Sequence, residues 1–268
     1  MKIEYYRPKS ELLRKYIAGY YFVSPDKNPQ PLQYWTFPNN YFITSVNINT
    51  EVTLRKNEIL IDGSEKENVI SNFVSRYINP IKITFSGVIH ELTLYFEPLG
   101  INHFVDNAEQ LYQQENAINF TPSADYLNLM KEILQLDNRD LQRDKLEAYW
   151  LNQLVPKDLT IAEQILADVE ADLKIEDIAF KHQLSRQYIN KVFKKFLGKS
   201  PSEYRKIHRF RNAIGKQKES KSLTELSYES LFYDQSHLIK DFKQLTNVNP
   251  FAFFKNVDTK KENIWLFI

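Results

Sequence analysis

The sequence predicts an α+β protein in which a β-rich N-terminal domain is followed by helices and then by an all-α C-terminal domain. Up to about residue 120, runs of β-branched and aromatic residues such as YYFV at 20–23 and YFITSVNI at 41–48 are separated by turn residues. From Pro122 onward, apolar residues recur at spacings of three and four, as in YLNLMKEILQL at 126–136. A chain of 268 residues is also long for one domain, so we expect at least two.

The β-rich half includes one strand pattern that we expect to be half-buried. In HELTLYFEP at 90–98, Leu92, Leu94 and Phe96 alternate with Glu91, Thr93 and Tyr95. Successive side chains of a strand point to opposite faces, so one face carries the aliphatic and phenyl groups and the other carries polar groups. This alternation predicts an antiparallel strand with one covered face.

Several classes of chemistry lack support in the sequence. There is no cysteine, which excludes disulfides, thiolate metal sites and thiol nucleophiles. His90 and His103 are thirteen residues apart without metal-ligand spacing, so we interpret them as satisfied strand or surface histidines. Six glycines form no phosphate loop. We therefore expect no enzyme, cofactor or metal, and, without a signal peptide or membrane span, a soluble cytoplasmic protein.

Aromatic residues are concentrated near the N-terminus, and their role has two interpretations. They could line a small-molecule pocket, but core and edge packing is the more common use of such residues. The set within the first 42 residues is Tyr5, Tyr6, Tyr20, Tyr21, Phe22, Tyr34, Trp35, Phe37, Tyr41 and Phe42.

The net charge of +1 conceals an uneven distribution of charge. Residues 172–257 contain 17 lysines and arginines against 9 acidic residues, whereas the rest of the chain contains 18 against 25. Between Arg186 and Lys218 there are eleven basic residues and one acid, Glu203. This run is either a solvated basic face or a surface for nucleic acid.

A repeat in the basic region predicts two copies of one helical unit. FKKFLGKSP at 193–201 and FKQLTNVNP at 242–250 align without a gap at an offset of 49 residues. Each copy follows an apolar helix pattern, a turn and a residue that can cap the next helix, Ser185 or Asp234. Each ends at Gly198 or Asn247, which accept a left-handed backbone, followed by a proline. Each copy therefore predicts a helix-turn-helix.

The second helix of each copy has an apolar face and a face of amides and cations. The expected inward positions are Ile189, Val192, Phe193 and Phe196 in the first copy and Leu238, Ile239, Phe242 and Leu245 in the second. Amide and guanidinium groups can bond bidentately to base edges in the major groove of DNA. The expected DNA-binding residues are Arg186, Gln187, Asn190, Lys191 and Lys194 in the first copy and Gln235, Ser236, His237, Lys240 and Lys243 in the second.

Residues 173–254 resemble the DNA-binding domain of AraC/XylS-type bacterial transcription regulators. The matching residues are IEDIA at 175–179, LS at 184–185, FKK at 193–195, G-x-S-P at 198–201, Tyr204, Arg209, Ala213, F-x-D-Q-S-H at 232–237, FK at 242–243 and Pro250. The resemblance implies two helix-turn-helix units joined by one long helix. It also implies base-facing roles for Gln187, Asn190, Lys191, Gln235, Ser236, His237 and Lys240.

The second unit departs from the family pattern at three places. Leu231 stands where glycine is usual before the phenylalanine, Asn247 stands in the second turn, and Lys216 and Gln217 replace a usual pair of leucines. Asparagine tolerates a positive φ well, whereas Leu231 could reshape the turn that orients the second helix. Specific contacts by the second unit are therefore the weaker expectation.

The N-terminal half has a fainter resemblance to a sensor domain found in some members of the same family. The matching residues are Pro8, Leu12, Tyr16 and Tyr20, the turn PNN at 38–40, and Phe96, Pro98 and Gly100. The resemblance implies a β-rich regulatory domain with a ligand pocket, followed by a helical linker or dimerisation segment.

These observations give an expected domain order and function. We expect a sensor domain at 1–120, a linker or dimerisation segment at 121–158, the double helix-turn-helix domain at 159–257 and an apolar tail at 258–268, whose last five residues, Ile264–Ile268, dock on the protein or form an oligomer contact. The expected function is a sequence-specific double-stranded DNA-binding transcription regulator, an activator or repressor, with a small-molecule effector and a homodimer as open expectations. The alternative is a ligand-binding or protein-interaction module with a degenerate second helix-turn-helix and only nonspecific DNA binding.

Overall fold

The computed structural model describes residues 1–26, 31–112 and 117–256, which fall into two compact units. The first unit comprises Met1–Gln33, Tyr41–Ser75 and Ile83–Asp158. The second comprises Tyr34–Asn40, Arg76–Lys82 and the chain from Leu159 onward. The apolar tail Ile264–Ile268 lies outside the described residues, so the two expectations for it stay open.

Ten strands are described, and they form two sheets. The strands are β1 (Lys2–Tyr6), β2 (Ile17–Ser24), β3 (Leu32–Thr36), β4 (Phe42–Ile48), β5 (Thr50–Arg55), β6 (Glu58–Gly63), β7 (Val69–Val74), β8 (Ile81–Ser86), β9 (His90–Phe96) and β10 (Ala117–Ile118). The six-stranded sheet has the order β1-β2-β9-β4-β7-β10, and the four-stranded sheet has the order β3-β8-β6-β5. Asn49, with φ of 54°, separates β4 from β5, so the chain turns from one sheet into the other at a residue type that tolerates this backbone.

Strand β9 corrects one expectation, because both of its faces are buried. Leu92, Leu94 and Phe96 enter the main core as expected, but the alternate residues Glu91, Thr93 and Tyr95 are also at most 3% exposed. β9 pairs with β2 on one side and β4 on the other, in the middle of the larger sheet. Burial raises the pKa of Glu91 to about 7, while hydrogen bonds from Thr93, Tyr21 and Asn47 oppose that rise.

The helices of the first unit complete its core. They are α1 (Ala108–Tyr112), α2 (Tyr126–Gln135) and α3 (Arg139–Gln153). Trp150 of α3 is fully buried and meets the rings of Phe96 and Phe104 edge-on, with centroids 5.0 and 5.2 Å apart. Tyr20 and Phe22, from the aromatic-rich start of the chain, belong to the same core. Residues expected to form a linker or dimerisation segment thus also hold the sheet.

The second unit is built mainly from helices. They are α4 (Thr160–Glu170), α5 (Ile175–His182), α6 (Arg186–Leu197), α7 (Pro201–Lys216), α8 (Leu223–Glu229), α9 (Gln235–Thr246) and α10 (Pro250–Asn256). Two helix-turn-helix units, α5–α6 and α8–α9, are separated by the sixteen-residue helix α7. The expected fold class, strands first and then a helical domain with two such units, is confirmed.

Two short segments from the β-rich half also belong to the second unit. Phe37 is 6% exposed and packs edge-on against Phe253 of α10, with ring centroids 5.0 Å apart. Arg211 of α7 donates hydrogen bonds to the carbonyl oxygens of Phe37 and of Pro38, the latter at 2.8 Å. No sequence pattern indicated this part of the core.

Candidate nucleic-acid interface

The first helix-turn-helix is fixed at both ends of α6 by local backbone chemistry. Ser185 Oγ accepts a hydrogen bond from the backbone N–H of Tyr188 at 3.1 Å, which satisfies one free amide of the first turn. At the other end Gly198 has φ of 66°, which ends the helix at low conformational cost. A three-residue turn, 183–185, separates α5 from α6, and Gln183 takes the left-handed conformation within it.

One face of α6 is buried and the other carries the predicted DNA-binding residues. Ile189, Val192 and Phe193 are at most 5% exposed, as the pattern predicted, and Phe196 is half-buried. The opposite side of the helix is open to solvent. It includes all five predicted residues, Arg186, Gln187, Asn190, Lys191 and Lys194, each of which is exposed.

Two of these exposed side chains have local partners that leave them room to contact a ligand. Asn190 Nδ2 donates to the carbonyl of Arg186 at 2.9 Å, so its Oδ1 points away as an acceptor. Arg186 forms an exposed ion pair with Glu176 at 3.1 Å, and such pairs exchange readily with water or phosphate. A backbone hydrogen bond and then Arg186 hold the pKa of Glu176 below its usual value.

The second helix-turn-helix has the same caps but a longer turn. Asp234 Oδ1 accepts from the backbone N–H of His237 at 2.7 Å, and Asn247 ends α9 with φ of 63°. The turn between α8 and α9 runs over five residues, 230–234, and Leu231 within it has φ of 64°. A branched side chain in this region is strained, because only glycine and, less well, asparagine adopt it routinely.

The predicted contact residues of α9 are less uniformly available than those of α6. Ser236, Lys240 and Lys243 are exposed, whereas Gln235 and His237 are half-buried. Gln235 Oε1 accepts from Thr224 Oγ1 at 3.0 Å. His237 Nε2 lies 3.4 Å from the Asp241 carboxylate, and its ring meets Phe232 edge-on with centroids 5.5 Å apart. Two of the five side chains are thus drawn into internal contacts.

Several cations of the basic run point into the protein rather than outward. Lys199 is 3% exposed, with Nζ 3.4 Å from the carbonyl oxygen of Asn39, and burial lowers its pKa to about 8, with Glu203 opposing the shift. Arg205 and Arg209 are only 16% and 15% exposed and face acidic partners. Together with Arg211, these residues account for four of the eleven cations in the run.

Lys216, one of the departures from the family pattern, has a structural role. Its Nζ donates to the carbonyl oxygen of Glu229 at 2.5 Å, at the C-terminal end of α8. A cation there offsets the partial negative charge of the last carbonyls. Its companion Gln217 lies just past the end of α7.

The histidines of the first unit have ordinary structural surroundings. His103 is 4% exposed, and its Nδ1 accepts from the backbone N–H of Lys157 at 3.0 Å. Burial lowers the pKa of His90. Within residues 1–26, 31–112 and 117–256, no group of three or more histidines and acids could hold a metal ion. No helix in those ranges is both long and apolar enough to cross a membrane.

Comparison with known proteins gives a family match and a curated relative. Residues 178–256 match the family model described as a helix-turn-helix domain, HTH_18. The HTH-type transcriptional regulator YdeC of Bacillus subtilis (strain 168) is 27% identical over 152 residues, which is 56% of this chain. The match spans about half of that relative's length, 51%.

Solved structures of ToxT from Vibrio cholerae show a weaker likeness along most of the chain. One has a TM-score of 0.46 at 13% identity, covering 95% of this chain and 98% of that chain. Another, bound to (E)-4-(8-methylnaphthalen-1-yl)but-3-enoic acid, has a TM-score of 0.44 at 12% identity, covering 95% and 99%. Residues 178–256, which contain the paired capped helices described above, thus match a helix-turn-helix domain family.

Proposed function

We propose that this protein is a sequence-specific double-stranded DNA-binding regulator of transcription. The observation that carries the proposal is the exposed face of α6, where two amides and three cations lie on a helix whose opposite face is buried. This display lies in a domain that matches a helix-turn-helix family. Non-catalytic DNA recognition needs these groups and no others, since base edges are read by hydrogen bonds and phosphates by charge.

The two kinds of side chain on α6 have separate tasks in this proposal. Gln187 and Asn190 contact base edges in the major groove, for which side-chain amides suit adenine. Arg186, Lys191 and Lys194 contact guanine or phosphate. Phosphate contacts supply most of the affinity and little of the sequence preference, whereas the amides supply the preference.

Helix α9 has the smaller part in sequence recognition. Ser236, Lys240 and Lys243 are exposed and suited to phosphate or base contacts. Gln235 and His237 would first have to leave Thr224 and Asp241. Replacing those internal contacts offsets part of what a base contact gains, so we assign α9 mainly to backbone positioning.

The internal contacts of Gln235 and His237 also support an alternative function. If the degenerate second helix-turn-helix leaves the protein without sequence-specific contacts to DNA, the protein is a ligand-binding or protein-interaction module that retains a basic surface. In that case its binding to DNA would be weak and indifferent to sequence. Raising the salt concentration would then abolish this DNA binding, because nonspecific binding is almost wholly electrostatic.

We assign the binding of a small-molecule effector to the β-rich compact unit that includes Met1–Gln33, Tyr41–Ser75 and Ile83–Asp158. A cavity of about 430 Å³ there is lined in part by Phe104, Leu111, Phe120 and Lys157, and this volume is within the range of small-ligand sites. Leu111→Trp places a bulkier ring in its lining and should obstruct ligand binding there. Native mass spectrometry of the protein purified from its own cells should then show a bound small molecule in the wild type and none in the variant. An unliganded wild type would contradict this assignment.

We also propose that the protein forms a homodimer through α3. Leu141 and Leu151 are 44% and 39% exposed and lie about 80° apart around the axis of the helix, on adjoining parts of its surface. Leu141→Lys with Leu151→Lys should convert a dimer into a monomer in light scattering. Glu132→Lys, at an exposed position of α2, is the control for added charge. A monomeric wild type would contradict the proposal.

The experiment for the main proposal is binding of the full chain to its own upstream DNA and to a scrambled duplex over a salt series. The five exposed cations among the predicted contact residues of α6 and α9, the two reading helices, predict a log–log salt slope of about −4.5 if each meets one phosphate. Selectivity that persists at physiological salt supports the regulator. Equal, weak binding to both duplexes would support the alternative module.

A variant pair separates the two tasks of α6. Gln187→Ala with Asn190→Ala should lower discrimination between the two duplexes while leaving nonspecific affinity unchanged. Lys194→Ala should weaken binding to both duplexes equally and reduce the salt slope by about 1. Uniform weakening by the amide variant would count against direct base contacts by this helix.

A further inference from the structure

Helix α7 carries an arginine that contacts the second helix-turn-helix and the turn just before the first. Arg209 NH1 lies 3.6 Å from Asp172 Oδ1, in the turn between α4 and α5. Its NH2 lies 3.8 Å from Asp241 Oδ2, on the reading helix α9. A single guanidinium therefore connects the turn that leads into the first helix-turn-helix with helix α9 of the second.

The surroundings of this connection differ from those of ordinary surface ion pairs. The side chains of Asp241 and Arg209 are 7% and 15% exposed, and that of Asp172 is 32% exposed. Exposed ion pairs contribute little, but breaking a sheltered one leaves an uncompensated charge out of water.

Neighbouring groups converge on the same two carboxylates. Arg205 Nε lies 3.2 Å from Asp172 Oδ1, which adds a second arginine to the contact at the α4–α5 turn. At the second unit, Lys206 Nζ and His237 Nε2 lie 3.7 and 3.4 Å from the Asp241 carboxylate. Asp241 thereby draws in His237, one of the residues predicted to face the bases.

The guanidinium also bears on the turn that orients α9. The Arg209 carbon Cζ lies 5.5 Å from the ring centroid of Phe232, which is buried two residues before the cap Asp234. An arginine over a ring face is held by cation–π attraction as well as by its ion pairs. The five-residue turn, with Leu231 in a strained conformation, is thus supported from α7.

Two reading helices on one duplex must match the pitch of DNA, because successive major-groove segments on one side are about 34 Å apart. A displacement of one base pair along the axis is about 3.4 Å, which a rigid pair of helices cannot follow. The planar fork of an arginine suits such a fixed distance between two carboxylates, whereas a lysine presents one flexible point charge.

We infer that Arg209, bridging Asp172 and Asp241, is a positioning residue that sets the spacing at which α6 and α9 meet DNA. The inference rests on the proposed function, because it presupposes specific binding by α6 and contact by α9. It adds that the preference for the distance between the two contacted segments resides in three side chains that touch no DNA.

The test uses the full chain and DNA duplexes taken from upstream of its own gene. Nuclease footprinting first identifies the two segments there that the protein protects from digestion. One duplex keeps the natural distance between the two protected segments, and two others have one base pair inserted or deleted between them. We expect the wild type to bind the altered duplexes about tenfold more weakly, a loss comparable to that of one mismatched base pair.

Asp172→Asn is the mildest variant, and Arg209→Gln is the stronger one. Asp172 has φ of 62°, which asparagine also tolerates, so this variant removes charge while keeping shape and backbone. In both variants the spacing preference should fall to about twofold or less. Arg209→Lys should restore only part of it. Circular dichroism of each variant checks that the helices are retained.

Asp168→Asn is the matched control. Asp168 is a sheltered acid like Asp241, but its partners Lys181 and His182, at 2.6 and 2.7 Å, lie on α5 within the first helix-turn-helix. This variant should leave the spacing preference unchanged. An unchanged preference in Asp172→Asn, or equal weakening on all three duplexes in Arg209→Gln, would overturn the inference. Binding by the wild type that ignores sequence altogether would instead overturn the proposed function.

Discussion

The two helix-turn-helix units come from one repeated pattern, yet they present different surfaces. In the first, a three-residue turn leads into α6, and all five predicted contact residues are exposed. In the second, a five-residue turn with a strained Leu231 leads into α9, and Gln235 and His237 are engaged internally. The repeat conserves the caps and the buried face, whereas the turn and the neighbours of the outer face decide which side chains reach solvent.

The largest effect should come from the features that the two units share. Phe193 and Phe242 are fully buried and occupy equivalent positions 49 residues apart. Each should cost about 3–5 kcal/mol of unfolding free energy when replaced by alanine. Denaturant unfolding followed by helical circular dichroism measures this loss. Phe180→Ala, at a ring that is 88% exposed, is the control and should change stability by less than about 0.5 kcal/mol.

A second difference lies just after each reading helix, where Lys199 is buried but its counterpart Val248 is 41% exposed. The folded protein releases the Lys199 proton at a pKa of about 8, and the unfolded chain keeps it to about 10.5. The unfolded state therefore binds more protons between these values, so wild-type stability should rise with pH in this window. Lys199→Met should be more stable near neutral pH, by up to about 3 kcal/mol.

The pH dependence provides the check on that prediction. The advantage of Lys199→Met in unfolding free energy should shrink steadily from about pH 8 to about pH 10. Val248→Met, at the equivalent exposed position, should show no such trend. A constant difference between Lys199→Met and the wild type would mean that desolvation of the ammonium is not its cause.

The two reading helices should differ in how much sequence discrimination each amide supplies. Gln187→Ala should cost about 1–3 kcal/mol of discrimination between the upstream duplex and a scrambled one. Gln235→Ala should cost less than about 1 kcal/mol, because this amide already bonds to Thr224. Competition binding at fixed salt measures both. Equal losses would show that α9 reads bases as fully as α6.

The smallest predicted effect concerns the strained turn of the second unit. Leu231→Gly should be more stable than Leu231→Ala by about 1 kcal/mol, because glycine has no Cβ penalty at φ of 64°. Comparing glycine with alanine separates strain from loss of the leucine side chain. Gly198→Ala in the first unit, at φ of 66°, should be destabilised by a similar amount. Equal stability of the two variants at 231 would contradict the strain.

Local patterns predicted much of the helical unit. The caps Ser185 and Asp234, the left-handed residues Gly198 and Asn247, and the buried face of each reading helix depend on neighbours a few positions away. These features follow from helix geometry and backbone conformation alone. They are therefore available to any argument from spacing and residue type.

Features that depend on distant residues were beyond such patterns. The alternation in β9 indicated a half-buried strand, but a central place in the sheet and covering on its second face bury Glu91 and Tyr95 too. Lys199 and Arg209 counted as members of a basic face, although each turns toward partners that only the fold brings close. Charge in the sequence measures composition, whereas exposure depends on tertiary packing.

The most direct test of the central claim is a base-pair substitution scan across both protected segments, with the affinity of the full chain measured for each duplex. We predict losses of about 1–3 kcal/mol at individual base pairs in the segment contacted by α6, and smaller losses in the segment contacted by α9. Losses that are negligible throughout both segments, or larger in the α9 segment, would contradict the account.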